Sequence, residues 1–179
     1  MGEVGCLKDG NFQNLQVDNT ILNSMVYKRP VVNVATTPFY PSVSQSGTIF
    51  SINRANGISI TLPTAEAGLV YEFYVETPFT GPHVLRIAAA GAGDQLRGLI
   101  KMSPTGFFDG NDATTSERGH CGPTTTDHQF VADNDTKGRL AGTHLVFKCI
   151  SDTVADTAAG RWSISGHAIT SGDITTPFT

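Results

Sequence analysis

Charged residues are scarce in this chain of 179 residues. Asp, Glu, Lys and Arg together make up 16% of it, the formal net charge is -4, and no window concentrates Lys or Arg. A protein that binds DNA or RNA needs a concentrated basic surface to displace counterions from phosphates. We therefore expect no nucleic-acid partner.

Long apolar runs are also missing. No stretch reaches the ~18 consecutive apolar residues of a membrane-spanning helix, so we expect no membrane partner. The first residues, MGEVGCLKDG, lack the basic and then apolar layout of a signal peptide. The sequence thus predicts synthesis in a cytoplasm, without export by that route.

Cysteine is too rare to build a scaffold. The three cysteines, Cys6, Cys121 and Cys149, are odd in number and form no C-x-x-C pair, so they predict no disulfide framework. His120, Cys121 and His128 lie close in sequence but lack the fixed ligand spacing of zinc sites. We expect no metal site there.

Signatures of catalysis are absent as well. The chain contains no G-x-S-x-G motif, and residues 91–96 lack the spacing of a nucleotide-binding loop. Glu72 and Glu76 share one side of a predicted strand, which is typical of the wet face of a sheet. We expect no enzyme activity, no catalytic residues and no cofactor.

Alternation of apolar and polar residues is the strongest positive signal. A period of two over short segments predicts strands with one buried and one wet face. Asn56-Gly57 is typical of a hairpin turn. Together these features predict a mainly β protein, an antiparallel β-sandwich or jelly-roll-like domain. The alternating segments are 47–53, 57–62, 69–77, 84–88, 143–151 and 161–167.

The alternation also assigns individual side chains. It places Phe73, Cys149 and Trp162 on buried faces, and His144 and His167 on polar faces. The two histidines lie near one another if the last two strands pair.

The chain divides into an arm and a domain. Residues 1–46 are irregular and predict an N-terminal arm, although an ordinary edge strand with loops fits them too. Residues 11–28 fit helical and strand spacing about equally. Residues 47–179 form the predicted domain, with a long polar loop at 103–126.

Two stretches resemble a known family. The first is SGTIFSIN at 46–53 followed by ISITLPTAEAGLVYEFYV at 58–75; the second is GTHLVFKCISD at 142–152 followed by GRWSISG at 160–166. Both are similar to framework segments of head decoration proteins, head fibres and tail fibres of tailed bacteriophages. They cover about half of the chain.

The resemblance implies a virion structural protein that is often trimeric. We therefore expect a homotrimeric capsid decoration (cement) protein or head fibre, made in the bacterial host cytoplasm and bound to the major capsid protein at the capsid surface. The alternative is a tail-fibre or receptor- and glycan-binding module, with Phe107, Phe108 and Phe130 as an exposed platform. The other interpretation of these aromatics is that they pack the loop onto the sandwich. Apolar arm residues are the expected inter-subunit or capsid contacts: Phe12, Leu15, Ile21, Leu22, Met25 and Val26.

Overall fold

The protein is mainly β. The computed structural model describes residues 28–80, 85–91, 94–104, 118–122 (backbone only), 129–132, 137–152, 160–171, 174 and 176–178. These residues contain ten strands and one short 3-10 helix at Val43–Gln45. The strands are β1 (Val31–Val34), β2 (Ile49–Ile52), β3 (Ile58–Thr61), β4 (Val70–Val75), β5 (Leu85–Ala88), β6 (Gln95–Pro104), β7 (Arg118–Gly122), β8 (Gln129–Ala132), β9 (His144–Ser151) and β10 (Arg161–Thr170).

The strands form two sheets of mixed direction. One has seven strands in the order β1-β2-β4-β9-β10-β6-β7, and the other has three in the order β3-β5-β8. The pairs β1–β2, β2–β4, β6–β10 and β3–β5 are parallel, so the expectation of a purely antiparallel arrangement is wrong. Alternation reports which face of a strand is buried, and it carries no information about the direction of the neighbouring strand.

The hairpin prediction at Asn56-Gly57 is also wrong. The turn is present, and Gly57 has a φ of 72°. It connects β2 of the seven-stranded sheet to β3 of the three-stranded sheet, so the two strands are not partners. The residues that permit a tight turn fix the local backbone only, whereas the pairing is decided by what each strand buries.

The predicted alternation is confirmed in β2, β3, β4, β5, β9 and β10. Phe50 on β2, Phe73 on β4 and Phe147 on β9 are buried. The ring centroids of Phe50 and Phe73 are 5.4 Å apart, and those of Phe73 and Phe147 are 5.7 Å apart. Trp162 of β10 is fully buried, and its ring centroid lies 6.0 Å from that of Tyr71. Buried side chains of both sheets belong to one hydrophobic core.

Four strands lie outside the six predicted segments. β1 falls within the range predicted as an arm, and it pairs in parallel with β2, while Ile49 N donates to Pro30 O at 3.0 Å. β7 falls within the range predicted as a loop, 103–126, and pairs with β6. β6 and β8 are the other two. The apolar arm residues from Phe12 to Val26 lie outside the described residues.

Glycine allows β6, β10 and β9 to approach closely. Gly98 has a φ of +148°, and a Cβ there would lie 1.8 Å from Ile164 O. Gly166 has a φ of +146°, and a Cβ there would lie 2.1 Å from His144 O. A side chain at either position would separate neighbouring strands near the middle of the sheet.

A short segment covers the outer edge of β3. Phe39 N donates to Ser59 O at 2.9 Å, and Thr61 N donates to Phe39 O at 3.1 Å. Phe39 also contacts the ring of Phe50 at 5.3 Å, which anchors the segment to the core. The preceding residues, including Thr37, are thereby held beside the end of the three-stranded sheet.

Candidate functional site

The exposed face of the seven-stranded sheet is the first candidate surface. Its members are the outward residues of each strand, and we call it the exposed sheet face. It includes apolar side chains: Leu99 is 55% exposed, Ile150 is 57% exposed and Tyr74 is 42% exposed. The row Tyr74, His144, His167 and Lys101 runs across β4, β9, β10 and β6 in register.

An ion-pair cluster lies on this face near the β1 edge. Arg29 NH1 lies 2.5 Å from Glu72 Oε2, and His144 Nε2 lies 2.7 Å from Glu72 Oε1. Arg29 also donates through Nε to Gly47 O at 3.1 Å. The ring of Tyr74 lies 6.4 Å from that of His144. The cluster joins the segment before β1 to β4 and β9.

The pKa of Glu72 is below its ordinary value. Burial of the carboxyl raises its pKa, but the hydrogen bonds and charges of Arg29 and His144 together lower it further than burial raises it. Both carboxylate oxygens have a partner, so the group is held in its ionised form by neighbours. This is the behaviour of a structural ion pair in a sheet, since a general acid needs the opposite shift.

The other carboxylate of the predicted pair has its own partner. Ser51 Oγ donates to Glu76 Oε2 across β2 and β4, and Thr77 Oγ1 donates to Asn53 Oδ1 beside it. Glu72 and Glu76 thus bind different neighbours and do not converge on a shared space. The arrangement fits the interpretation of both residues as the wet face of a sheet.

The two histidines of the polar faces are brought together as predicted. His144 and His167 are direct partners across the antiparallel pair β9–β10. Each side chain bonds to the strand on its own outer side. His144 bonds Glu72 on β4, and His167 Nε2 bonds Ser103 Oγ on β6 at 2.9 Å. The pair therefore cross-links four adjacent strands.

The buried carboxylate of Asp94 links two segments that are distant in the chain, one at Gly91 and one at Gly160. Asp94 is 6% exposed; its Oδ1 accepts from Gly160 N at 2.6 Å and its Oδ2 accepts from Gly91 N at 3.1 Å. Gln95 N donates to Gly160 O at 3.0 Å, which extends this link into β6. Asp94 N also donates to Gly91 O at 3.0 Å, so the chain turns just before β6 begins, in line with the turn that the sequence predicts.

Cys149 is a core residue, as the alternation predicts. It is 3% exposed, and its thiol donates to Ser151 O at 3.4 Å. Burial raises the pKa of the thiol. A protonated thiol is a poor nucleophile and a poor metal ligand, so the side chain acts as a small apolar group.

An open pocket lies on the other sheet. It encloses about 270 Å³ and is lined by Thr37, Asn56, Gly57, Ile58, Ser59 and Arg86. We call it the Arg86 pocket. Ser59 and Arg86 are direct partners in the parallel pair β3–β5, and both are exposed.

The remaining predicted site residues divide into three groups. Phe130 is fully buried and packs against Phe178 with ring centroids 6.3 Å apart, so its proposed place in an exposed platform is wrong. Phe107, Phe108 and His128 lie outside the described residues. His120 and Cys121 are in β7, for which only the backbone is described.

Two kinds of feature are absent from the described residues. Among them, no three His, Cys, Asp or Glu side chains lie together as a metal site would require. The same residues contain no helix with the length and apolar character needed to cross a membrane.

Sequence reasoning missed Arg29 and Arg86. Arg29 precedes β1, which falls in the range predicted as an arm or as an edge strand with loops, and its partner Glu72 is distant in the chain. Arg86 meets Ser59 through parallel pairing, which joins segments that are not neighbours in sequence. The only available signal was the outward position of Arg86 within an alternating segment.

Comparisons with protein-family models, with curated proteins and with solved structures found no match.

Proposed function

We propose that this protein is a structural component of a tailed-bacteriophage virion. In this proposal it is a homotrimeric capsid decoration protein or head fibre that binds the major capsid protein and stabilises the shell. Its two sheets form a β-sandwich or jelly-roll-like domain. The role is non-enzymatic, and the protein reaches the capsid surface after synthesis in the bacterial host cytoplasm.

The exposed sheet face is the observation that carries the proposal. A sheet face with Tyr74, Leu99 and Ile150 open to solvent, mixed with polar neighbours, has the composition of a protein-contact surface. The stretches that resemble phage framework segments contain β2, β3, β4, β9 and the first part of β10. The proposal therefore combines a resemblance in sequence with a surface suited to contacts between proteins.

Light scattering on four proteins, the full chain and three variants, tests the oligomeric state. We expect the full chain to be a trimer at micromolar concentration, because burial of apolar side chains at ~25 cal/mol per Å² favours association. Leu99→Lys places a charge on the exposed sheet face and should weaken the trimer or its binding to empty capsids. Val43→Lys is the matched control, since Val43 is 45% exposed but lies in the 3-10 helix.

The third variant lacks residues 1–27 and tests the arm. The deletion stops before Arg29 and Pro30, because these residues bond to the seven-stranded sheet. We expect this variant to keep its strand-rich circular dichroism spectrum and to lose trimerisation or capsid binding. A full-length chain that is monomeric, or a Leu99→Lys protein that assembles and binds like the unaltered chain, would contradict the proposal.

The second candidate function is a tail-fibre or glycan-binding module. The Arg86 pocket favours it, because the pocket is open, has four polar residues in its lining and lies on a different sheet from the exposed sheet face. Immunogold labelling of phage particles separates the two roles. Label distributed over the shell supports decoration, whereas a few copies at the tail support a fibre.

A further inference from the structure

The Arg86 pocket presents hydrogen-bond donors and no acid. Thr37, Asn56, Ser59 and Arg86 supply two hydroxyls, an amide and a guanidinium, and Gly57 and Ile58 complete the lining. Among the described residues that line the pocket there is no carboxylate, although acidic residues outnumber basic ones in the chain. The described lining therefore carries the positive charge of Arg86 and no negative charge.

Arg86 is available to a ligand. It lies at an exposed position of β5, between buried Leu85 and Ile87. Among the described residues its guanidinium has no hydrogen-bond or ion-pair partner. A guanidinium binds a carboxylate through two parallel N–H···O bonds, and this geometry is selective for planar anions.

The pocket wall is held in place before any ligand binds. Ser59 N donates to Thr37 Oγ1 at 3.1 Å, which leaves the hydroxyl proton of Thr37 free to donate into the pocket. A second arginine, Arg54, donates to Gly57 O at 2.8 Å and to Ala35 O at 3.0 Å. These bonds join the two segments that form the wall, so less ordering is needed when a ligand binds.

The size of the pocket limits the ligand. A volume of about 270 Å³ is slightly below the ~300–1,000 Å³ range of small-molecule sites. A pocket of this volume fits a ligand with one six-membered ring and its substituents. A single anion would leave the hydroxyls and the amide unused, whereas a sugar ring offers several hydroxyls to Thr37, Ser59 and Asn56 at once.

We propose that the Arg86 pocket binds an acidic monosaccharide unit, with its carboxylate on Arg86 and its ring hydroxyls on Thr37, Asn56 and Ser59. The proposal concerns the pocket alone. It holds whether the protein decorates a capsid or forms a tail fibre, and a failure of trimerisation would leave it untouched.

A titration followed by amide chemical shifts tests this site on the full chain. The probes are glucuronic acid, N-acetylneuraminic acid, glucose and glucose 6-phosphate. We expect saturable shifts at Gly57, Ser59 and Arg86 with the two carboxylate sugars, and at least about tenfold weaker binding of glucose, because a charge-assisted hydrogen bond is lost.

Variants then assign the binding to Arg86. Arg86→Ala and Arg86→Gln should each weaken glucuronic acid binding by about tenfold or more, with unchanged melting temperatures because the side chain is exposed. Arg97→Ala removes an arginine from the other sheet and should bind like the unaltered protein. Two variants at Arg86 are included so that poor folding of one does not leave the site untested.

Three results would overturn the proposal. They are no saturable binding of either carboxylate sugar at millimolar concentration, tighter binding of glucose 6-phosphate than of both carboxylate sugars, or full retention of binding in a folded Arg86 variant.

Discussion

Neighbouring residues of β4 have opposite environments. Phe73 is 1% exposed and contacts Phe50 and Phe147, whereas Tyr74, the next residue, is 42% exposed on the opposite face. This contrast follows from the alternation of side chains along a strand. It could be predicted from the sequence, since the apolar residues of 69–77 recur at every second position.

The contrast gives a paired stability prediction. Phe73→Ala should lower the free energy of unfolding by about 3–5 kcal/mol, because it removes a large buried ring and leaves a cavity. Tyr74→Ala should lower it by less than about 1 kcal/mol, because its ring is largely in water. Urea denaturation of both variants measures the difference. Equal losses would mean that the two faces of β4 are assigned incorrectly.

Glu72 predicts a loss of stability in acid. Its pKa in the folded protein lies below the ordinary 4.5, so the folded state binds this proton less readily than the unfolded chain. The stabilisation is therefore complete above the ordinary pKa and is lost as the pH falls through the lower, folded value. Because the Arg29 partner is partly exposed, we expect a contribution of about 1 kcal/mol or less.

Glu72→Gln isolates this contribution. Below pH 4.5 its stability should approach that of the unaltered protein, and at neutral pH it should be lower. Glu76→Gln is the matched control, because Glu76 lies on the same side of the same strand region but is exposed. Melting temperatures of the three proteins from acid to neutral pH would show the convergence. Parallel curves for Glu72→Gln and the unaltered protein would contradict the prediction.

The pairing of β6 with β10 depends on glycine. Gly98→Ala would place a Cβ 1.8 Å from Ile164 O and also requires a φ that alanine rarely adopts. We expect this change to prevent folding, or to destabilise the protein by well over 3 kcal/mol. Gly68→Ala shares the positive φ, +96°, but its Cβ would meet nothing within 4 Å, so we expect a loss of about 1 kcal/mol.

Far-ultraviolet circular dichroism and thermal melting separate these two effects. A Gly98→Ala protein as stable as the Gly68→Ala protein would show that β6 and β10 can move apart without consequence.

The strands that were missed show what alternation cannot convey. In β6, Gly98 stands where the pattern needs an apolar side chain between buried Leu96 and Ile100, so the repeat is interrupted. In β7 the residues RGHCG contain no alternation of apolar side chains. The alternation also does not indicate which strands pair with each other. His144 and His167 were predicted as neighbours because a hairpin is local, whereas the parallel neighbours Ser59 and Arg86 were not.

The whole molecule should unfold as one unit. The two sheets have separate hydrogen-bond networks but contribute buried side chains to a single core. The only tryptophan, Trp162, lies in the seven-stranded sheet and reports on it by fluorescence. We expect the fluorescence transition to coincide with that of circular dichroism, as in a two-state protein.

A variant of the other sheet makes the test sharper. Phe130 is fully buried in β8 of the three-stranded sheet. Phe130→Ala should lower the Trp162 transition and the circular dichroism transition by the same number of degrees. A Trp162 transition that stays in place would show that the sheets unfold independently.

The position of β10 has a consequence for how the protein is made. β6, at Gln95–Pro104, lies between β7 and β10, and β10 is the last of the ten described strands. While the ribosome is still adding the intervening residues, one edge of β6 has no partner, and an open edge can pair with another chain. Non-local parallel pairing is also slow to form. We therefore expect nascent chains that stop before Arg161 to aggregate, and the yield of soluble protein to depend on completing translation through Thr170.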